Sequence, residues 1–364
     1  MQLGTVQGWN TASSPVGRIF APSAHGLNAV WPGVLPGLPP VRAYTIASGV
    51  AERRFCRYPC ASGQFGVQAT GVNWEEVGAR FVGRFGPGVE EWLTEVPNLA
   101  ARLAARWGFV PGELFGSGAS SVVLRCRWPD GTPAVLKLSP DRTLLTKQVE
   151  MLRVFAPSGR VPAVLCADAD AGATVLEEIL PGTEAEYMPQ TSLPRQWGEL
   201  LAALHAVTPP AHWPPDLRGR CDEAFARIGR RLSEPTIGAR IDQATWQRAI
   251  RRCDTLLDSQ AGLVLLHGDL HLGNVLDGGP SRGLIAIDPK ACVGDPCFDA
   301  VDYVVAGAGR EGVEVRCRQV ADACGLDGDR LYAWSRVIAP MAAIAHLTHD
   351  GPERVIDELL ALSG

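Results

Sequence analysis

LLHGDLHLGNVLDGGPSRGLIAIDPK, residues 265–290, is apolar or turn-forming almost throughout, yet it carries His267, Asp269, Asn274 and Asp288. Polar groups in such a run are costly to bury unless hydrogen bonding or chemistry holds them. Leu263 to Leu266 reads as a short strand that delivers His267-Gly268-Asp269, and Asn274 to Leu276 pairs with Leu284 to Ile287 across the Asp277-Gly278-Gly279 turn and its following loop. Asn274 opens that hairpin and Asp288 closes it, so both stand at one end beside Asp269. Phosphoryl transfer asks for this set: a carboxylate that orients a hydroxyl and accepts its proton, and two oxygen ligands for Mg²⁺ on the phosphates.

Upstream, the pattern changes from helix to strand. Residues 74–84 and 89–107 place Trp92, Val96, Leu99, Leu103 and Trp107 at helical spacing. Leu114-Phe115, Val122 to Arg127 and Ala134 to Leu138 then read as strands, with Gly116, Ser117 and Gly118 in the first turn and Pro129-Asp130-Gly131-Thr132 in the second. A glycine turn by itself more often serves positive φ than phosphate binding. Lys137 adds the weight: the chain has three lysines against 31 arginines, so a lysine inside Ala134-Val135-Leu136-Lys137-Leu138 points to a need for a compact charge. Asp141 to Phe155 reads as a helix capped by Asp141 and carries Glu150, thirteen residues beyond the lysine, in the arrangement of a phosphate-clamping pair. After one more strand, Ala173 to Leu180, the helical segments 193–207, 217–232, 240–258, 313–324 and 328–348 follow. The expected fold is α+β with two lobes, a small antiparallel-sheet N-lobe and a larger, mainly helical C-lobe.

Composition bounds the function. The first 72 residues hold five arginines against Glu52 alone, a net of about +4, which leaves about −9 for residues 73–364 out of a total of −5. An acidic body argues against a nucleic-acid partner and suits a cationic small molecule. No apolar run reaches the roughly 18–20 residues of a membrane span and no secretory signal opens the chain, so a cytoplasmic address is the default. The ten cysteines are scattered without a Cys-x-x-Cys pair, as free thiols in a reducing compartment would be. Residues 1–72, rich in proline and glycine, read as an extension without a packed core; a targeting peptide, or a true start near Val72-Asn73-Trp74, stays open. Residues 73–180 then form the lead-in helices and N-lobe, and 181–364 the C-lobe.

HGDLHLGNVL, followed by IDPK and GDPCFDAVDY, resembles the aminoglycoside phosphotransferase family, which shares the protein-kinase-like fold. VEEWLTEVPNLAARLAARWGF, VLKLSP and AIDPK look most like its streptomycin 6-kinase and hydroxyurea phosphotransferase branch, and the similarity covers residues 73–348. The resemblance implies ATP and Mg²⁺, with Asp269 as catalytic base, Asn274 and Asp288 as metal ligands, Lys137 on the α- and β-phosphates, and Glu150 as its partner. It implies a hinge at Leu176 to Leu180, including Glu178 and Ile179, whose backbone meets the adenine. His267 and Asp299 would support the catalytic loop. The implied acceptor is a small hydroxyl compound, an aminoglycoside of the streptomycin type first and hydroxyurea or another metabolite second. Asp295, Asp350 and Glu353 are the candidate carboxylates for a cationic acceptor, against the plainer reading of a solvated helix start for the last two. Two further function classes stay open. In a strand, His267, Asp269 and His271 would share a face and could bind zinc in a metal-dependent hydrolase, and the chain could be a non-catalytic nucleotide-binding module.

Overall fold

The longer strands, of period near two, gather in one lobe, and most of the helices, of period near 3.6, in the other. The computed structural model describes residues 74–115, 120–211 and 215–364, so the expectations for residues 1–72 lie outside the described residues. Helices α1 (Trp74–Phe85) and α2 (Val89–Trp107) precede five antiparallel strands: β1 (Val110–Phe115), β2 (Val122–Arg127), β3 (Pro133–Leu138), β4 (Val164–Asp168) and β5 (Ala173–Glu177). Their order is β1-β2-β3-β5-β4. The β4 strand is not among those expected from sequence. Helix α3 (Arg142–Phe155) joins β3 to β4, and the Asp141 carboxylate caps it by accepting the Leu144 N–H at 2.9 Å.

Alternation along β3 decides what the sheet presents. Ala134, Leu136 and Leu138 join Leu124 and Val175 in a cluster closed by Val77, Phe81, Val96 and Leu103 of α1 and α2. The two lead-in helices therefore cover the outer face. Period two sends Val135 and Lys137 to the other face, where both line a cleft against the second lobe.

That second lobe contains α4 (Leu193–His205), α5 (Leu217–Gly229), α6 (Pro235–Gly238), α7 (Gln243–Asp258), α8 (Phe298–Val305), α9 (Val313–Cys324), α10 (Gly328–Thr348) and α11 (Glu353–Ser363). Two short antiparallel pairs are set among them, β6 (Val264–Leu266) with β9 (Cys292–Gly294), and β7 (Val275–Asp277) with β8 (Leu284–Ala286). Its core centres on buried Trp197, stacked on Tyr303 at 4.5 Å, and on Trp334. Each buried indole contributes roughly 4–6 kcal/mol gross, before the entropy of ordering it. The α+β, two-lobed expectation therefore describes the molecule. Among the described residues no helix is long and apolar enough to cross a membrane, and no disulfide joins the eight cysteines.

Candidate active site

The segment His267-Gly268-Asp269 leaves β6 as a tight turn. Gly268 has φ +76°, and a Cβ there would stand 2.4 Å from the Lys290 carbonyl oxygen, so glycine is required both for its backbone angle and for close approach. Asp299, buried in the first turn of α8, accepts the amide N–H of His267 at 2.7 Å and that of Gly268 at 2.8 Å, with His205 Nε2 at 3.1 Å on the same carboxylate. His267 is fully buried and its Nε2 donates to the Ile287 carbonyl at 3.0 Å. Burial pushes its pKa down, so the ring is neutral and ties the loop to the strand beside it. His267 and Asp299 thus hold Asp269 in place from below.

Asp269 is held from several sides. Arg220 Nη2 lies 3.0 Å from Oδ1 and Lys290 Nζ 2.9 Å from Oδ2, while the Asn274 side-chain amide donates to the Asp269 carbonyl at 2.9 Å and to Oδ2 at 3.3 Å. Burial would raise this carboxyl, but Lys290 and Arg220 outweigh it and hold the pKa below the ordinary carboxylate range. Pairing of Val275 with Ala286 in the β7–β8 hairpin, extended by the Ile287 N–H donating to the Asn274 carbonyl at 2.9 Å, brings Asn274 and Asp288 to one end. Asp288 adopts φ +58°, and its Oδ1 receives Lys137 Nζ across the cleft. The sheet lobe and the helical lobe therefore meet at Lys137, Asp269, Asn274 and Asp288. They enclose about 570 Å³, with Val135 and Leu176 forming apolar walls on one side and Leu276 and Ile287 on the other.

Several expected residues stand elsewhere. Glu150 is exposed on the far side of α3, beside Arg153 and Asp168, and does not partner Lys137. The α3 residue that faces the cleft is Gln148, buried, with its Oε1 unpaired among the described residues. Helical spacing alone does not say which side of α3 looks inward. Asp295 does not serve the cleft either: it is buried and holds Arg330, the Trp334 indole N–H at 2.6 Å and the Cys297 N–H at 3.0 Å. Asp350 and Glu353 are exposed, Glu353 pairing with Arg240 at 2.8 Å, and neither lines the cleft. Glu178 and Ile179 do line it at the end of β5, where Arg125 Nε reaches Glu178 Oε1 at 2.9 Å. Gly116, Ser117 and Gly118 lie outside the described residues. The zinc arrangement is lost because the segment is a turn, not a strand. His267 is sealed below Asp269, whereas exposed His271 accepts the Gly273 N–H at 3.2 Å.

Three residues near Asp269 escaped the sequence reading. Arg220 on α5 and Lys290 reach it through long-range contacts that carry no local pattern. Asp302 follows Asp299 by three residues on α8, a spacing visible in FDAVDY, and its carboxyl is pushed up to about 6 by burial and by the charge of Asp269.

Residues 111–336 match the model described as "Phosphotransferase enzyme family". A hydroxyurea phosphotransferase of Kitasatospora aureofaciens is 31% identical over 264 residues, which cover 71% of this chain and 75% of that one. A streptomycin 6-kinase of Streptomyces glaucescens is 29% identical over 274 residues, 72% of this chain and 86% of that one. Among solved structures, a choline kinase from Streptococcus pneumoniae aligns with a TM-score of 0.52 at 12% identity, over 73% of this chain and 96% of that one, a likeness of fold.

Proposed function

This chain belongs to the phosphotransferase enzyme family, and from that premise we propose that it moves the γ-phosphoryl group of ATP to a hydroxyl of a cationic small molecule of the streptomycin type. The observation that carries the reading is the convergence of Lys137, Asp269, Asn274 and Asp288 from two lobes on one cleft. Asp269 is the group that orients the acceptor hydroxyl and takes its proton. Lys137, released from Asp288, neutralises the α- and β-phosphates. The apolar walls at Val135, Leu176, Leu276 and Ile287 suit a flat base, with the backbone at Glu178 and Ile179 along its edge.

The donor set fits Mg²⁺. Asn274 spends its amide nitrogen on Asp269, which leaves its oxygen for a cation, and the Asp288 carboxylate at the same hairpin end already carries a cation from the cleft side. Oxygen donors suit this hard ion, which would neutralise phosphate charge there. The chain's own part is positioning: Asp299 and His267 fix the turn, and Asn274 fixes the Asp269 carboxylate.

A cationic acceptor is supported by Glu184, which lines the cleft, and by the acidic body of the chain. A second reading, phosphorylation of the neutral hydroxyurea, is favoured by the 31% identity to a hydroxyurea phosphotransferase. The test is ADP release from ATP with streptomycin, hydroxyurea and a panel of hydroxylated amines. Acceptor-dependent release that falls by roughly 10² or more in Asp269→Asn, with ATP binding kept, supports the reading. Release that depends on no acceptor in the panel overturns it, and release with hydroxyurea alone selects the second.

A further inference from the structure

Both oxygens of Asp269 are occupied by cations, yet a base must have one oxygen clear to receive a hydroxyl proton. The two cations differ in how they are held. Arg220 is tied down, its Nε donating to the Gly268 carbonyl at 3.1 Å and its Nη1 pairing with Glu223 at 3.0 Å, with a side chain 13% exposed. Lys290 is 39% exposed, lines the cleft, and among the described residues has Asp269 as its one ion-pair partner. Its backbone is anchored, because the Lys290 N–H donates to the His267 carbonyl at 2.9 Å. The root of the side chain is fixed while the four-carbon stem can swing.

The choice of residue adds an independent observation. Of 34 basic residues three are lysines, and two of those line this cleft. Each sits on one of the carboxylates that face the reaction: Lys137 on Asp288, and Lys290 on Asp269. A guanidinium fork grips a carboxylate at two points, whereas an ammonium is a point charge with three rotatable donors and exchanges partners readily.

We propose that Lys290 is a second phosphate-binding lysine, which leaves Asp269 for the γ-phosphoryl group when the substrates enter. The proposal rests on the phosphotransfer reading above. In the step, the acceptor oxygen bonds to the γ-phosphorus. The bond from that phosphorus to the β,γ-bridging oxygen breaks, and its electron pair leaves on ADP. The hydroxyl proton passes to the Asp269 oxygen that Lys290 has vacated. Lys290 stays protonated throughout and neutralises the non-bridging oxygens of the moving group.

The test is calorimetric binding of ADP and of the non-hydrolysable β,γ-imido triphosphate, with Mg²⁺ and without acceptor, to the full chain and to Lys290→Met and Lys290→Arg. Lys290→Met should lose about tenfold or more in triphosphate affinity, as expected for one charged hydrogen bond, and keep its ADP affinity. Lys290→Arg should keep its ADP affinity and recover only part of the triphosphate affinity, because its fork holds Asp269 at two points while its charge can still meet the phosphate. Equal losses for both nucleotides, no loss for either, or an arginine variant that binds the triphosphate no better than Lys290→Met overturns the assignment while the phosphotransfer reading stands. A wild-type chain that binds neither nucleotide overturns that reading and this one with it.

Discussion

Asp299→Asn tests whether the turn that carries Asp269 is held from α8. The buried carboxylate accepts two backbone N–H groups, at 2.7 and 2.8 Å, through its two oxygens. An amide keeps one oxygen but sets an NH₂ against the other N–H, so one buried donor is orphaned and two charge-assisted bonds become one neutral bond. At about 1–3 kcal/mol for the orphan and a similar amount for the weakened pair, the loss is about 2–5 kcal/mol. For a lobe of this size that corresponds to a fall in Tm of about 4–20 °C. Catalysis should fall further than stability suggests. The turn has no slack around Gly268, and misplacement of a base by about 1 Å costs on the order of 10² in kcat. The KM for ATP should hardly move, since Lys137 and the cleft walls are untouched. Asp295→Asn is the control. That carboxylate is equally buried but braces Arg330 and Trp334 of α10, so its loss should lower Tm and leave kcat close to wild type in the surviving folded protein. Thermal unfolding by circular dichroism and the ADP-release assay give both readings, and an Asp299→Asn chain with wild-type Tm and kcat would refute the bracing role.

Glu150→Ala, on the exposed side of α3, should leave the KM for ATP unchanged, while Gln148→Leu, on the cleft side, should raise it; steady-state kinetics showing the reverse would mean α3 is turned the other way. Asp302 holds its proton to about pH 6 in the folded chain and only to the ordinary 3.8 when unfolded, so stability from this group is present in acid and lost as pH rises through 6. Asp302→Asn carries no charge at either end, so its Tm advantage over wild type should widen from about pH 5 to about pH 8, and a gap that narrows would reject the raised carboxyl. Gly268→Ala should yield insoluble or inactive protein, whereas Gly325→Ala, at φ +65° but with open space around it, should cost only about 1–2 kcal/mol of backbone strain in urea unfolding.

What was legible in the sequence is what local geometry dictates. Lys137 faces the cleft because β3 alternates with period two, and Asn274 meets Asp288 because a hairpin returns to its own start. The Asp141 cap and the bounds of β2 follow from short-range chemistry in the same way. The misses are long-range. Helical spacing makes α3 a helix without saying that Gln148, not Glu150, looks inward; that depends on how the helix docks. The partner of Lys290 lies 21 positions earlier and that of Arg220 lies 49 positions later, so neither pair leaves a periodic trace. Asp295 and Asp299 sit in one short motif and are both buried; the family resemblance assigned Asp299 to the catalytic turn, but nothing in GDPCFD tells that Asp295 reaches α10 instead of the cleft.

The division of labour between arginine and lysine connects fold to mechanism. Buried or partly buried arginines do fixed work in the second lobe. Arg316 is packed on the Tyr303 ring at 5.0 Å and holds Glu311; Arg330 holds Asp295; Arg252 and Arg336 bond the carbonyls that end α11. Each uses the planar, multi-donor geometry that makes a guanidinium hard to displace. Lys147 lies exposed on α3, and the other two lysines face the cleft. There, the Lys137–Asp288 pair joins the two lobes and the Lys290–Asp269 pair covers the base. Such pairs keep a carboxylate-lined cleft near neutrality without nucleotide, which lowers the penalty of holding like charges close together. Phosphates entering the cleft supply new anions for both ammonium groups at once, so Asp288 and Asp269 are freed by the same event that needs them. An arginine in either place would hold its carboxylate through two parallel bonds and make that exchange costlier.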